Sequence, residues 1–167
     1  MRHGCEPGDH PPSRRLIVDV IPTRSGQPSL RVSGLFFHSK IDPVREADRR
    51  AEELRGSSTI FILSPGLGYL AKALPHARVF QIERHREIAA HSNALVEPDI
   101  GSLVGEIGPS EKVAVVSGVM LDEDKPYYAA VAAAISAALE KHVEQIITTV
   151  AFEETWRGNL SVNAPRF

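Results

Sequence analysis

Residues 59–83 read TIFILSPGLGYLAKALPHARVFQIE, and this stretch decides the fold. Thr59 to Leu63 is an unbroken apolar run of strand length. Such runs suit a strand covered on both faces, as in parallel sheets. Ser64-Pro65-Gly66-Leu67-Gly68 forms the turn out of it, and a short helix follows through Leu74. Arg78 to Ile82 is the next strand, closed by Glu83. Strand, glycine turn, helix, strand and acid in this order is the pattern of a nucleotide-binding unit.

The chemistry of that pattern is specific. Gly66 allows a tight turn at the strand tip, and Gly68 lets a ligand or the helix backbone come close. Leu67 and Gly68 would offer backbone N–H groups to a phosphate, with the dipole of the following helix behind them. Glu83 would take ribose hydroxyls. Ala71 stands where a third glycine completes the fingerprint, and Gly66 to Glu83 spans 17 residues against about 20 in the usual unit. The same residues also describe a plain tight βα turn with a strand-end glutamate facing solvent, because a fold does not fix a function.

Upstream, Leu16–Ile21 and Ser29–Phe37 read as two strands of a hairpin spanning 16–37, with Gly34 as a bulge. Asp42 is a good helix N-cap and Pro43 a good first residue. Val44, Ala47, Ala51 and Leu54 then recur at helical spacing until Gly56. Downstream, His85–Leu95 reads as helix and Lys112–Val116 as a third parallel-type strand. Pro126 opens an alanine-rich helix. Ile146–Val150 fits strand or helix, and 151–163 favours helix. Alternating strands and helices imply a parallel sheet with right-handed crossovers. The expected fold class is therefore α/β: a Rossmann-like three-layer domain over 16–167, with a βαβ core over 42–145, a leading hairpin and a C-terminal helix.

Other residues carry weaker signals. His38 and Ser39, before the first helix, and Asp122, in the acidic run after the third strand, stand where the mouth of a ligand site would be. Alternatively, Ser39 satisfies a turn, Asp42 caps the helix, and the run Asp122-Glu123-Asp124 is a solvated loop. Glu87 and His91 lie at i, i+4 but lack a third ligand, so no metal is expected. His76 and His85 have no partner in the sequence and read as surface residues. No Ser-His-Asp set, Cys-His pair or Gly-Lys-Ser/Thr loop is visible, so no catalytic residue is named.

The chain has 167 residues, 43% hydrophobic and 24% charged, and a formal net charge of -2. One domain is expected, and that charge argues against a nucleic-acid-gripping module. Cys5 is the single cysteine, so an internal disulfide is impossible and a reducing, cytoplasmic setting is the simpler reading. No apolar run approaches a membrane span. Residues 1–15 read as a disordered tail. Phe152, Trp156 and Leu160 recur every four residues. That stripe either closes the domain's own core or faces a protein partner or a following domain.

Three segments together resemble the motility-associated-factor glycosyltransferases. Phe37-His38-Ser39-Lys40-Ile41-Asp42-Pro43-Val44-Arg45-Glu46-Ala47 is similar to that family's "lHSkyDPxxEA" string. Ser64-Pro65-Gly66-Leu67-Gly68-Tyr69-Leu70 is similar to its "GxGLGYh" turn, although Ser64-Pro65 and Leu70 replace the usual glycine and histidine. Residues 152–163, FEETWRGNLSVN, are similar to its "f…W…N…N" helix. Family members modify flagellin with nonulosonic sugars from nucleotide-activated donors, and a related group makes a pterin diphosphate. The resemblance implies an amino-terminal Rossmann-like domain that binds a nucleotide or nucleotide sugar, or docks. The family's transferase centre lies in a later domain, so no transferase residue carries over. The enzyme rival is an S-adenosylmethionine-dependent methyltransferase, which also uses a glycine turn and an acid. The non-enzyme rival is an interaction domain with an inert turn.

Overall fold

The computed structural model describes residues 16–143. The tail 1–15, the ambiguous run 146–150, the expected helix 151–163 and the stripe Phe152, Trp156 and Leu160 lie outside the described residues. Two sheets organise the rest. Strands β1 (Val18–Pro22), β2 (Pro28–Val32) and β3 (Leu35–Phe36) form an antiparallel sheet in that order. The expected second strand is therefore two strands. Ser33 and Gly34 both take positive φ and reverse the chain, so Gly34 belongs to a turn and not to a bulge.

Helix α1 (Pro43–Glu53) follows, capped by Asp42 Oδ1, which accepts the Arg45 N–H at 3.0 Å. Then come β4 (Thr59–Leu63), α2 (Tyr69–Lys72), β5 (Arg78–Ile82), α3 (Arg86–Ala89), α4 (Ile100–Gly105) and β6 (Val113–Ser117). A last helix, α5, covers 125–143. Strands β5, β4 and β6 pair in parallel, with β4 in the centre. All five residues of β4 are buried, as its unbroken apolar run requires.

Helices cover both faces of this sheet. Ile60, Ile62, Val79 and Val116 point to the side packed by Ala51 of α1 and by Leu70 and Leu74. Phe61, Leu63, Ile82 and Val113 point to the side packed by Val104 of α4 and by Tyr128 and Ile135 of α5. The period of two along each strand divides the residues between these layers. A third cluster joins Leu30 and Val32 of the antiparallel sheet to Ala47, Leu67 and Tyr69.

One expected element is shorter than the sequence pattern, and one element is new. The helix expected over His85–Leu95 is the single turn α3, and Leu95 instead bridges Ile82 as an extension of the sheet. α4 was not anticipated: Asp99 Oδ1 accepts the Gly101 and Ser102 N–H groups and starts it. No described helix is long and apolar enough to cross a membrane.

Candidate functional site

Register brings three residues to one edge. Leu63 pairs with Ile82 and with Ser117, so Ser64, Glu83 and Gly118 all stand one residue beyond the carboxyl ends of the parallel strands. The connections out of β4 and β6 diverge there, and such a point is where open α/β sheets gather ligands. A cavity of about 40 Å³ lies at this edge, lined by Phe37, His38, Glu46, Arg50, Ser64 and Val119 among others. Ligand pockets run to several hundred Å³, so this space takes a few waters and no nucleotide.

His38 lines this cavity and packs against the glycine turn. Its Nε2 accepts the Leu67 N–H at 2.8 Å, and its ring meets Tyr69 edge-on at 5.1 Å. A Cβ on Gly66 would lie 2.4 Å from Nε2, and Gly66 has φ +60°, so glycine serves both the turn and the histidine. Because Nε2 accepts, the proton of the neutral ring sits on Nδ1. Burial lowers the His38 pKa to about 4; Glu46 opposes the fall and Arg50 adds to it. The Ser29 hydroxyl donates to the His38 carbonyl at 3.1 Å, which ties the antiparallel sheet to the same loop.

The glycine turn thus differs from its expected role. Leu67 N–H is engaged by His38, and Gly68 N–H donates to the Pro65 carbonyl at 3.1 Å. The space beside Gly68 is filled by Gln81 and Ser92 and not by an open ligand face. α2 has four residues, so little dipole stands behind the turn. Gly118 meets the turn from the other strand. Its N–H donates to the Leu63 carbonyl at 2.7 Å, and a Cβ there would lie 2.1 Å from the Ser64 carbonyl oxygen.

Glu83 is 1% exposed and not at the surface. Its Oε1 accepts the Tyr128 hydroxyl at 2.8 Å and the His85 N–H at 3.1 Å, while Oε2 is buried without a protein partner. Burial raises the Glu83 pKa, against the lowering effect of those bonds. Burial also raises Tyr128, and the neighbouring Glu83 carboxylate adds to it.

Beside Glu83 lies a network that the sequence did not suggest. Asp124 is 2% exposed and accepts from Arg84 Nη1 at 2.7 Å and from His85 Nε2 at 2.8 Å. His85, expected to lack a partner, therefore has a buried carboxylate. Asp124 comes from the acidic run, whose first member Asp122 points outward with its side chain 91% exposed and pairs with Lys125. Ser39 Oγ accepts the Ile41 and Asp42 N–H groups and so serves a turn. Of the expected mouth residues, His38 alone lines the cavity; Ser39 and Asp122 do not. Among the described residues no group of three or more His, Cys, Asp or Glu could hold a metal.

Comparison with family models, with curated proteins and with solved structures finds no match to this chain.

Proposed function

We propose that the chain is the Rossmann-like amino-terminal domain of a motility-associated glycosyltransferase-like protein, acting as a docking module and not as the transferase. One observation carries this reading. The groups on which nucleotide recognition would rest are already engaged: Leu67 N–H by His38, and Glu83 by Tyr128 and the His85 N–H. The described surface also offers a contact face. A groove lined by Ile17, Leu35, Val119 and Met120 leaves Ile17 66% and Leu35 40% exposed, with the Asp19–Arg31 pair beside them. The sequence stripe Phe152, Trp156 and Leu160 is the other contact this reading uses.

A specific observation favours one other reading, a nucleotide or nucleotide-sugar site. Glu83 Oε2 is buried with no protein partner, and a ligand hydroxyl would satisfy it. Glu83 is 1% exposed, so binding then requires the residues that bury it to open.

One pair of experiments separates the two. Thermal shifts are read with CMP, a CMP-sugar, a UDP-sugar, NAD and S-adenosylmethionine, on wild type and Glu83→Ala. Saturation at 100 times Kd adds about 2.7 kcal/mol. A shift that disappears in Glu83→Ala overturns the docking reading. Sedimentation of wild type and Trp156→Ala reads the other side. The docking reading expects no ligand shift, and an association that Trp156→Ala abolishes.

A further inference from the structure

Among the described residues strand β6 is an edge strand, and its own residues carry none of the charges or prolines that protect edges. On one side it pairs with β4; among the described residues nothing pairs on the other. Its sequence, Val113-Ala114-Val115-Val116-Ser117, has no charge and no proline, and Val115 is 38% exposed. Isolated edges of this kind invite pairing, and natural sheets blunt or cover them. Burial falls from all five residues in β4 to none in β6, although both are apolar.

The path of the chain says where a covering strand would come from. The connection from β5 to β6 passes through α4, which packs on the Phe61 and Leu63 face. It carries the chain across β4 from one side of the sheet to the other. α5 leaves β6 and packs on that same face through Tyr128 and Ile135. Crossovers between parallel strands keep one hand in about 98% of cases. A second crossover over the same face must therefore advance in the same direction, beyond β6 and away from β4. α5 also returns the chain to the correct end. The His142 ring donates from Nε2 to the Ile107 carbonyl at 2.8 Å, and Ile107 lies before β6, at the amino edge of the strands. Four residues after His142 begins Ile146-Ile147-Thr148-Thr149-Val150, a β-branched run as long as β6. Short connections of this length are usual between a helix and the next strand.

We infer that the free edge of β6 is the docking edge for residues 146–150 of this same chain, paired in parallel as the strand that completes the sheet.

The test uses the full chain in solution. Amide exchange and backbone NOEs are recorded on wild type and on Thr148→Pro, which removes a ladder donor. The expected result is parallel-type NOEs between β6 and 146–150 in wild type. The β6 amides facing away from β4 are protected, and in Thr148→Pro that protection is lost while β4 and β5 keep theirs. Helical shifts over 146–150, or fast exchange of those β6 amides in wild type, overturn the inference. So do NOEs that appear only between differently labelled copies, because they assign the edge to a second molecule. If Thr148→Pro fails to fold, the wild-type NOEs decide alone.

Discussion

The His38 imidazole accepts the Leu67 N–H at 2.8 Å, across 29 residues of sequence. This contact places an uncharged acceptor where an anion would otherwise sit on the glycine turn. It also joins the antiparallel sheet, through Ser29 and the His38 carbonyl, to the tip of the central parallel strand. Removing it should be felt in both sheets. His38→Ala leaves the Leu67 N–H without its partner and empties the space beside Gly66. A loss of about 1–3 kcal/mol in denaturant unfolding is expected. A change below 0.5 kcal/mol would mean that water replaces the ring at no cost.

The pH dependence of stability should carry the mark of the same residue. In the unfolded chain His38 titrates at its ordinary 6.5, and in the fold at about 4. The folded state binds fewer protons between these values, so stability is complete above pH 6.5 and declines as pH falls toward 4. The full decline is at most about 3 kcal/mol. Glu83 has the opposite sign. Its raised pKa makes the folded state hold a proton longer, so its contribution is complete below 4.5 and is lost as pH rises. Unfolding measured between pH 4 and 7 should show both slopes in wild type. His38→Ala should remove the first and leave the second. Glu83→Gln should do the reverse.

Local patterning made the sheet and first helix legible. The limits of β4 and β5 and the cap at Asp42 follow from unbroken apolar runs and from Asp-Pro, which act over a few residues. The site was not legible in the same way. Leu67 N–H and Glu83 were placed correctly along the chain, but what occupies them comes from far away: His38 from 29 residues upstream and Tyr128 from 45 downstream. No periodicity encodes such pairs. The helix expected over His85–Leu95 failed for a related reason. Its apolar spacing was real, yet Leu95 N–H and C=O pair with Gln81 and Glu83, and sheet bonding outcompeted another helical turn.

Gly118 escaped notice because its role is also tertiary. A Cβ at this position would lie 2.1 Å from the Ser64 carbonyl oxygen, and backbone, not a pliable side chain, stands in the way. Gly118→Ala should therefore cost about 1–3 kcal/mol or more, by forcing the tips of β4 and β6 apart. Gly56→Ala is the control. Nothing lies within 4 Å of its Cβ and its φ is not positive. It should be neutral or stabilise by up to about 1 kcal/mol, through reduced freedom of the unfolded chain. Equal effects from the two alanines would refute the close approach.

Asp124 holds the start of α5 to the tip of β5, and its two partners differ in what they lose. Arg84 is 42% exposed and can turn to water; His85 is 22% exposed and has less room to do so. Asp124→Asn keeps the shape but removes the charge from both bonds. One amide oxygen can still accept from one partner, whereas the amide NH₂ must face the other donor. A loss of about 1.5–3 kcal/mol is expected, the range for hydrogen bonds to charged groups. The local consequence separates this role from a general weakening. Amides of residues 125–131 should lose exchange protection before those of β4, because α5 frays from the end that Asp124 secures. Uniform loss across β4 and α5 would instead assign Asp124 to the global core, and leave the junction of β5 with α5 to Tyr128, whose hydroxyl bonds Glu83 and the Arg84 N–H.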